Sequence, residues 1–328
     1  MLTQEPSLNL PDSSARGLAV AIVGAGLMGH ALAAIFAAAG SRVTLCETYE
    51  ATLASAKQRM RTSLEAAELD PKAADAVQLV NRIDALDPEC RFVTEAISEN
   101  LLLKQELFRD LEKRLPRALL ASNTSVLSIG EVAKLMKFPE RLLGTHWWNP
   151  PYLIPLVEVV QGPQTRLEYV QWTMALLRSV NKSPVHVKKD KPGFIGNRLQ
   201  HALWREAFAL LDEGICDAQT VDFVARNTLG LKLGTLGPIE NADYVGLDLT
   251  LAIHQHVFPA LSRADQPLPS LTQVVAEGKL GAKTGEGMLS WAPGAREEVA
   301  RRLNKYVKEQ VKNQAAKAGR GEDPKGVA

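Results

Sequence analysis

Cysteine and net charge are both scarce in this sequence. Its three cysteines, Cys46, Cys90 and Cys216, lie far apart and include no Cys-x-x-Cys pair, which argues against a disulfide framework and favours a reducing compartment. Lysine and arginine together number 38 and aspartate and glutamate 37, so the net charge of +1 gives no reason to expect nucleic acid or an anionic membrane as a partner. This composition favours a small molecule as the partner.

Long apolar runs are missing as well. No run of 18 apolar residues occurs, and residues 1–17 have neither the basic start nor the apolar segment of a signal peptide. We therefore expect a cytoplasmic protein in which residues 1–17 form a disordered leader. The length of 328 residues exceeds what one ordinary core needs and predicts two domains.

Strands and helices alternate in the first part of the sequence. Residues 18–23 are typical of a buried strand, residues 26–40 of a helix that ends at Gly40, and residues 42–46 of a second strand. The alternation continues through a helix at 50–69, a helix that we expect Ser98 to cap, and strands near 78–83, 91–96, 118–121, LLGTHW, LVEVV and PVHVKK. It predicts a Rossmann-type, doubly wound, mostly parallel sheet over residues 18–192.

Only helical segments and loops follow this part. Lys191-Pro192-Gly193 interrupts the chain before a long apolar-periodic helix at 194–213, and we place the domain boundary between residues 192 and 193. Residues 193–295 are predicted to form an all-α domain for dimerisation and substrate binding. Residues 296–328 are predicted to comprise an additional amphipathic helix, over 296–312, and a disordered tail, 319–328. The predicted fold class is therefore α/β, a doubly wound sheet followed by a helical domain.

A glycine-rich turn lies at the end of the first strand. Gly24-Ala-Gly26-Leu27-Met28-Gly29 follows a predicted strand and opens a predicted helix, so backbone N–H groups and the helix N-terminus can face a diphosphate. Glu47 ends the next strand, 18 residues after Gly29, where a carboxylate accepts hydrogen bonds from a ribose and repels a 2′-phosphate. This pattern predicts a dinucleotide site for NAD rather than NADP, although glycines in such a turn can also serve tight packing alone.

Three other patterns are not expected to form sites. His30 follows the glycines as an ordinary helix residue. The segment 278–287, GKLGAKTGEG, lacks the spacing of a nucleoside triphosphate loop, because Ala282 separates the preceding glycine from Lys283. His254 and His256 are two residues apart on a predicted helix and point to different faces, so we expect no metal site.

Residues 146–160, HWWNPPYLIPLVEVV, place one histidine and one glutamate in an otherwise mostly apolar run. A nicotinamide enzyme that oxidises an alcohol must remove the hydroxyl proton as the hydride leaves, and a neutral imidazole suits this step near neutral pH. His146 ends a predicted strand, and Glu158 on the next strand can accept a hydrogen bond from its other ring N–H. A buried structural histidine beside an unrelated carboxylate explains the same residues equally well.

Six motifs occur in order over residues 18 to about 291. They are Gly24-x-Gly26-x-x-Gly29, Glu95-Ala-Ile-Ser-Glu-Asn100-Leu-x-x-Lys104, Ser122-Asn-Thr-Ser125, His146-Trp-Trp-Asn149-Pro150, Leu156-Val-Glu158 and Pro192-Gly-Phe-Ile-Gly-Asn197-Arg198. Together they resemble the 3-hydroxyacyl-CoA dehydrogenase family. The resemblance implies an NAD-dependent enzyme with a dinucleotide-binding domain and a helical domain that forms a homodimer, across which the additional C-terminal helix is expected to pack.

The resemblance also implies roles for individual residues. His146 would be the catalytic base and Glu158 its partner, while Ser125 and Asn197 would hold the substrate oxygen and the nicotinamide side of the site. Without the resemblance, Ser125 is explained as a helix cap and Asn197 as a residue that caps or cross-links the domain junction. The implied cofactor set comprises the glycine turn with Leu27 and Met28, Glu47, Glu95, Asn100, Lys104, Asn123, Ser125 and Asn149.

The expected substrate class follows from a difference within the family. Acyl-CoA members have a longer, lysine-bearing helical hairpin between the second strand and the Glu95 motif. Other details, among them Ile154-Pro155 and Lys283-Thr-Gly-Glu-Gly-Met288, resemble a branch that acts on small free carboxylates and includes pyridine-carboxylate and gulonate dehydrogenases. We expect such a substrate, with a 3-hydroxyacyl-CoA as the alternative. The shorter segment here, 48–94, includes the cations Lys57, Arg59, Arg61, Lys72 and Arg82.

Trp147 and Trp148 are candidates for narrowing the pocket or stacking on a ring, and plain core filling explains them equally well. Candidate cations for a substrate carboxylate are Arg198, Arg205 and Lys283.

A rival class, the 6-phosphogluconate and 3-hydroxyisobutyrate dehydrogenases, uses a lysine on the helix after the domain boundary, but no lysine lies between Lys191 and Lys232. A non-catalytic NAD-binding or crystallin-like protein is a further alternative, and it would have no need to keep a base, its partner and the polar residues around them.

Overall fold

The chain folds into two compact units. The structure is a computed structural model that describes residues 8–318, with side chains up to residue 314. The first unit ends at Asn197 and includes the chain again from Asn304, whereas the second comprises Arg198–Leu303. Relative to the predicted boundary at 192/193, the first unit therefore gains the loop as far as Asn197 and the last part of the C-terminal helix.

One sheet forms the centre of the first unit. Its strands are β1 (Ala19–Val23), β2 (Arg42–Cys46), β3 (Gln78–Val80), β4 (Phe92–Glu95), β5 (Leu119–Ser122), β6 (Leu142–Trp147), β7 (Leu156–Val160) and β8 (Ser183–Val187). They lie in the order β3-β2-β1-β4-β5-β6-β7-β8, and all neighbours pair in parallel except β6 and β7, which are antiparallel. Every residue of β1, β4, β5 and β6 is buried, because helices cover both faces. The predicted doubly wound, mostly parallel sheet is confirmed.

Helices of the first unit form the two outer layers. They are α1 (Gly29–Ala38), α2 (Glu50–Ala66), α3 (Leu101–Arg114), α4 (Ile129–Val132) and α5 (Leu167–Ser179), with 3-10 turns at Pro71–Ala76, Ile83–Ala85, Ala133–Leu135 and Pro139–Arg141. Apolar residues of α1, α2 and α5 share one core cluster, and those of α3 and α4 share the other. The predicted cap of α3 is wrong: Asn100, not Ser98, is the N-cap, and its Oδ1 accepts a hydrogen bond from the Leu103 N–H at 3.1 Å.

Helices make up most of the second unit. They are α6 (Gly196–Asp212, which begins in the first unit), α7 (Ala218–Asn227), α8 (Leu229–Leu233), α9 (Pro238–Val245), α10 (Leu247–Val257) and α11 (Pro269–Ala276). Isolated bridges join Gly281 to Glu286 and Glu286 to Ser290. The predicted helical domain is confirmed. Among the described residues, none of the helices is both long and apolar enough to span a bilayer.

The leader is ordered from residue 8 onward, which corrects the predicted disorder of residues 8–17. Three hydrogen bonds fasten it to α5: Leu8 N donates to the Tyr169 hydroxyl (2.8 Å), Trp172 Nε1 donates to the Pro11 carbonyl (2.7 Å), and Ala15 N donates to Ser179 Oγ (2.9 Å). Leu8, Leu10 and Ala15 also pack against the core. Although the segment is polar in overall composition, these three residues bury enough apolar surface to help hold it in place. The rest of the predicted leader, residues 1–7, lies outside the described residues.

The C-terminal helix, α12, spans Ala295–Ala318 and is longer than the predicted helix at 296–312. Lys308 and Lys312 form ion pairs with Glu68, at 3.6 and 3.0 Å. All three side chains are partly or largely exposed, so these pairs contribute little to the stability of the fold. The predicted packing of this helix across a dimer stays a prediction, and the predicted disordered tail, 319–328, lies outside the described residues.

Candidate active site

The three glycines of the turn after β1 differ in how much space surrounds them. Gly24 has a φ of +94°, and a Cβ there would lie 2.7 Å from the Ala96 carbonyl oxygen; a Cβ on Gly29 would lie 1.7 Å from that of Gly24. A Cβ on Gly26 would meet nothing within 4 Å. Close packing therefore explains Gly24 and Gly29, whereas Gly26 leaves open space beside the start of α1 where a diphosphate can approach. Leu27 is exposed here, and Met28 packs against the core.

Glu47 follows β2 and hydrogen-bonds to the backbone of the glycine turn. Its Oε2 accepts a hydrogen bond from Ala25 N (2.8 Å), and its Oε1 accepts one from Tyr49 N (2.9 Å). Each carboxylate oxygen retains a free lone pair for a ribose hydroxyl, so the geometry fits the predicted role. His30 Nδ1 lies 2.6 Å from the Gly26 carbonyl oxygen, as expected for a local helix residue.

His146 and Glu158 lie directly opposite each other on the antiparallel strands β6 and β7. His146 Nδ1 is 2.7 Å from Glu158 Oε2, and both residues are buried, with 4% and 1% of their surfaces exposed. Because a carboxylate accepts hydrogen bonds, it fixes the proton on Nδ1 and leaves Nε2 as the basic ring nitrogen. The arrangement can therefore accept a proton at one defined atom.

Glu158 is held ionised by three hydrogen bonds. Its Oε1 accepts from the backbone N–H groups of Ile195 and Gly196, at 2.9 and 3.0 Å, where α6 begins. Burial by itself raises the pKa of Glu158, but the hydrogen bonds from His146, Gly196 and Ile195 outweigh it, and the pKa lies below its ordinary value. The negative charge of Glu158 stabilises the positive charge that the imidazole acquires when it accepts a proton.

The two tryptophans face different sides of the sheet, so the two explanations left open for them apply to different residues: Trp147 fills the core, and only Trp148 lies near His146. Trp147 is 3% exposed and packs in the core against Phe36, with ring centroids 6.2 Å apart. Successive side chains of a strand point to opposite faces, so Trp147 must point away from His146. Trp148 lies after the strand, 5.1 Å from the His146 ring, and Phe194 lies 5.6 Å from it.

Trp148 depends on the glycine at position 196. A Cβ at Gly196 would come within 2.2 Å of Trp148 Cζ2, so any larger residue would displace the indole. The rings of Trp148 and Phe194 both pack beside the imidazole of His146. Of these two residues, only Trp148 was a candidate for substrate contact in the sequence analysis. The structure therefore keeps one of the two tryptophans as a candidate for substrate contact.

The Ser125 turn is built around Glu99, a residue that sequence reasoning did not assign. Glu99 Oε1 accepts hydrogen bonds from Thr124 Oγ1, Ser125 N and Val126 N, at 2.5, 2.9 and 3.2 Å. The turn leaves Ser125 exposed, and Asn197 Nδ2 donates to the Ser125 carbonyl at 2.9 Å. The sequence signal was present, because Glu99 lies within the Glu95-to-Lys104 motif.

Ser125 and Asn197 are thus in contact, their roles toward substrate and nicotinamide stay a prediction, and the cap explanation of Ser125 fails. The N-cap of α4 is Ser128, whose Oγ accepts from Glu131 N at 3.3 Å. Asn197 does cross-link, but to the Ser125 turn within the first unit.

Three residues predicted to line the cofactor have other roles in the structure. Glu95 and Lys104 are 0% and 1% exposed and form an ion pair at 2.5 Å, so they lie beneath the surface and support it. Glu95 also accepts from Ser122 Oγ and Ile97 N, and Lys104 reaches Glu99 at 3.3 Å. Asn100 caps α3, as described above. This network fixes the base of the Ser125 turn from below.

The remaining predicted residues divide between the units. Asn123 Oδ1 accepts from Trp147 N at 3.0 Å, which joins the ends of β5 and β6, and Asn149 is exposed. Arg198, Arg205 and Lys283 belong to the second unit, and their contact with a substrate stays a prediction. Within residues 8–318, no three or more His, Cys, Asp or Glu side chains are grouped so that they could hold a metal ion.

Two family models match nearly the whole of both units. The NAD binding domain of 3-hydroxyacyl-CoA dehydrogenase matches residues 19–191, and the C-terminal domain of 3-hydroxyacyl-CoA dehydrogenase matches residues 193–291. The chain belongs to the 3-hydroxyacyl-CoA dehydrogenase family. As a member of this family it is an NAD-dependent oxidoreductase that acts on CH–OH groups.

Individual relatives of this dehydrogenase differ in what their names describe. It is 32% identical over 284 residues to 5-formyl-3-hydroxy-2-methylpyridine 4-carboxylate 5-dehydrogenase of Mesorhizobium japonicum, covering 84% of this chain and 91% of that protein. It is 34% identical over 291 residues to the mitochondrial hydroxyacyl-coenzyme A dehydrogenase of Homo sapiens, covering 83% and 90%. A crystal structure of the pyridine-carboxylic acid 5-dehydrogenase, described as an NAD+-dependent dismutase, superposes with a TM-score of 0.84 at 29% identity, covering 94% of this chain and all of that one.

Proposed function

We propose that this dehydrogenase transfers hydride between NAD and the alcohol or carbonyl carbon of a small free hydroxy or oxo carboxylate, with His146 as the base. The observation that carries the proposal is the buried His146–Glu158 pair, 2.7 Å apart, which the adjacent residues Gly196 and Asn197 connect to the exposed Ser125 turn. NAD, when bound, supplies the hydride acceptor. The protein supplies the group that takes the proton.

In the oxidising direction, the substrate hydroxyl gives its proton to Nε2 of His146. Glu158 keeps the other ring nitrogen protonated and stabilises the imidazolium that forms, so the carboxylate itself needs no proton. Ser125 offers its hydroxyl to the substrate oxygen. Asn197 donates to the Ser125 carbonyl and so helps to fix the backbone of the turn that carries this hydroxyl. In the reducing direction the same proton returns from His146 to the new alkoxide.

The cations of segment 48–94 support a free carboxylate over a CoA thioester. Lys57 donates to the Asp75 carbonyl, Arg61 pairs with Asp75, and Arg82 pairs with Asp84. Arg59 donates to the carbonyls of Gly26 and Thr52, which leaves Lys72 as the exposed lysine of this set. Of these five cations, Arg61 and Arg82 are therefore paired with carboxylates and Arg59 is held at the glycine turn, which leaves Lys57 and Lys72 for the phosphates of CoA. The high structural similarity to a pyridine-carboxylic acid dehydrogenase points the same way.

A 3-hydroxyacyl-CoA substrate is the second candidate, and one observation favours it. The identity to the human hydroxyacyl-coenzyme A dehydrogenase, 34%, is as high as that to the pyridine-carboxylate enzyme, 32%. Sequence identity alone therefore does not separate the two substrate classes.

A panel of substrates tests the choice. NAD reduction is measured with 3-hydroxybutyryl-CoA and with free acids and related compounds: hydroxy acids, carnitine, gulonate, and pyridine alcohols and aldehydes. We expect kcat/KM for at least one free compound to exceed that for the thioester by about 100-fold, because the free energy of binding the CoA moiety is missing. His146→Gln serves as the control for contaminating activity. Efficient thioester turnover with none on the free compounds would reverse the substrate assignment.

We also propose that the enzyme is a cytoplasmic homodimer, with no nucleic acid or membrane partner, that associates through the second unit. Helices α7 to α10 carry a dense set of large apolar side chains that are at least 46% exposed in the single chain, more than monomers usually present. They include Phe223, Leu231, Ile239, Tyr244, Leu247, Leu249, Leu251 and Ile253. A self-complementary apolar interface accounts for such a surface.

Light scattering in line with gel filtration should give twice the chain mass of 35.7 kDa. Leu251→Glu should shift the protein to the monomer, because it places a charge in the proposed interface. Leu102→Glu is the matched control, since Leu102 is 70% exposed but lies on α3 in the first unit. A wild-type monomer at micromolar concentration would contradict the proposal.

A further inference from the structure

Arg59 on α2 extends its side chain toward the glycine turn. Its Nη1 donates to the Gly26 carbonyl at 3.2 Å, and its Nη2 donates to the Thr52 carbonyl, in the first turn of α2, at 2.8 Å. Its Nε lies 3.3 Å from Ser55 Oγ. The guanidinium is therefore held between the start of α2 and the turn whose open glycine faces the cofactor space.

The charge of Arg59 is not neutralised by a carboxylate. Its partners among the described residues are carbonyls, a hydroxyl and the His30 ring, whose Nδ1 is 3.1 Å away. Burial lowers the pKa of His30 below its ordinary value, against the effect of the hydrogen bond to Gly26, and the charge of Arg59 lowers it further. Arg61, one half-turn along the same helix, differs because it forms an ion pair with Asp75.

We propose that Arg59 is a determinant of cofactor affinity, because it fixes an unpaired positive charge at the glycine turn where the diphosphate of NAD binds. The turn already offers N–H groups and the start of α1, which are partial charges. A full guanidinium charge beside them attracts the two negative charges of the diphosphate. Arg59 is partly buried, so solvent and salt screen this attraction only in part.

The charge of Arg59 can be separated from its structural role by two substitutions. Arg59→Met keeps most of the apolar stem but removes the charge and the hydrogen bonds. Arg59→Lys keeps the charge and loses the bidentate link between Gly26 and Thr52. Arg61→Met is the matched control on the same helix, and thermal unfolding checks that each variant is folded. Arg59→Gln replaces the methionine variant if that one does not fold.

Binding to the whole enzyme is measured by NADH fluorescence, and ADP-ribose and adenosine are titrated as competitors at low and high salt. We expect Arg59→Met to raise the Kd of NADH and of ADP-ribose by about 5- to 20-fold at low salt, the size expected for one partly screened charge near a dianion. The Kd of adenosine should not change, the loss should shrink at high salt, and Arg59→Lys should recover most of the affinity. Arg61→Met should bind as the wild type does.

Two results would overturn the proposal. One is an unchanged Kd for NADH in Arg59→Met at low salt. The other is a loss that is equal for adenosine or independent of salt, because this pattern would mean that the side chain shapes the turn and that its charge does not act on the phosphates.

Discussion

His146→Gln is expected to lower kcat for alcohol oxidation by on the order of 1,000-fold and to leave NADH affinity unchanged. The imidazole has Nδ1 engaged with Glu158, so Nε2 is the atom that takes the proton, and glutamine has no basic nitrogen to replace it. The glutamine amide can still donate to Glu158, so the buried carboxylate keeps a partner and the fold is retained. Steady-state kinetics and NADH fluorescence titration measure the two quantities separately.

His186→Gln on β8 is the matched control. Its Nε2 lies 3.0 Å from Gln161 Oε1, so this residue too is a hydrogen-bonded histidine of the same sheet, but it has no part in the proposed site. We expect wild-type turnover from this variant. If His146→Gln turned over the true substrate at the wild-type rate, the assignment of the base would be wrong, while the NAD site would be unaffected.

Much of this site could be predicted because its signals are local in the sequence. Strand periodicity placed β1 and β2, and a glycine turn between a strand and a helix then fixed where this turn and Glu47 meet. His146 and Glu158 were paired as residues of successive strands. What periodicity did not give was the antiparallel register that sets them directly opposite each other, because register depends on the turn between the strands.

The predictions that failed depend on burial and on contacts distant in sequence. The order of residues 8–17 comes from hydrogen bonds to α5, more than 160 residues away, which no local pattern reveals. Glu95 and Lys104 were expected to line the cofactor, but both are buried and form an ion pair with each other in the interior. For Trp147 two explanations were left open, and strand alternation beside His146 decides in favour of core filling.

Glu158→Gln is expected to lower kcat by about 100- to 10,000-fold, through loss of the charge behind the imidazole and of the fixed tautomer. Unlike His146→Gln, it should also destabilise the fold by about 1 to 3 kcal/mol, because an amide cannot accept from His146, Ile195 and Gly196 as a carboxylate does. Glu106→Gln, at an exposed position on α3, is the matched control and should change neither quantity.

The stability difference between wild type and Glu158→Gln should depend on pH with a definite sign. The hydrogen bonds lower the pKa of Glu158 in the folded protein, so the unfolded chain binds this proton more readily. The stability that the carboxylate contributes is therefore fully present above its unfolded pKa, about 4.3, and is lost as the pH falls through the lower folded pKa. Urea unfolding of both proteins at several pH values measures the difference in free energy of unfolding. A difference that stayed constant down to the acid end would mean that Glu158 is not the ionised partner on which the proposed chemistry of His146 depends.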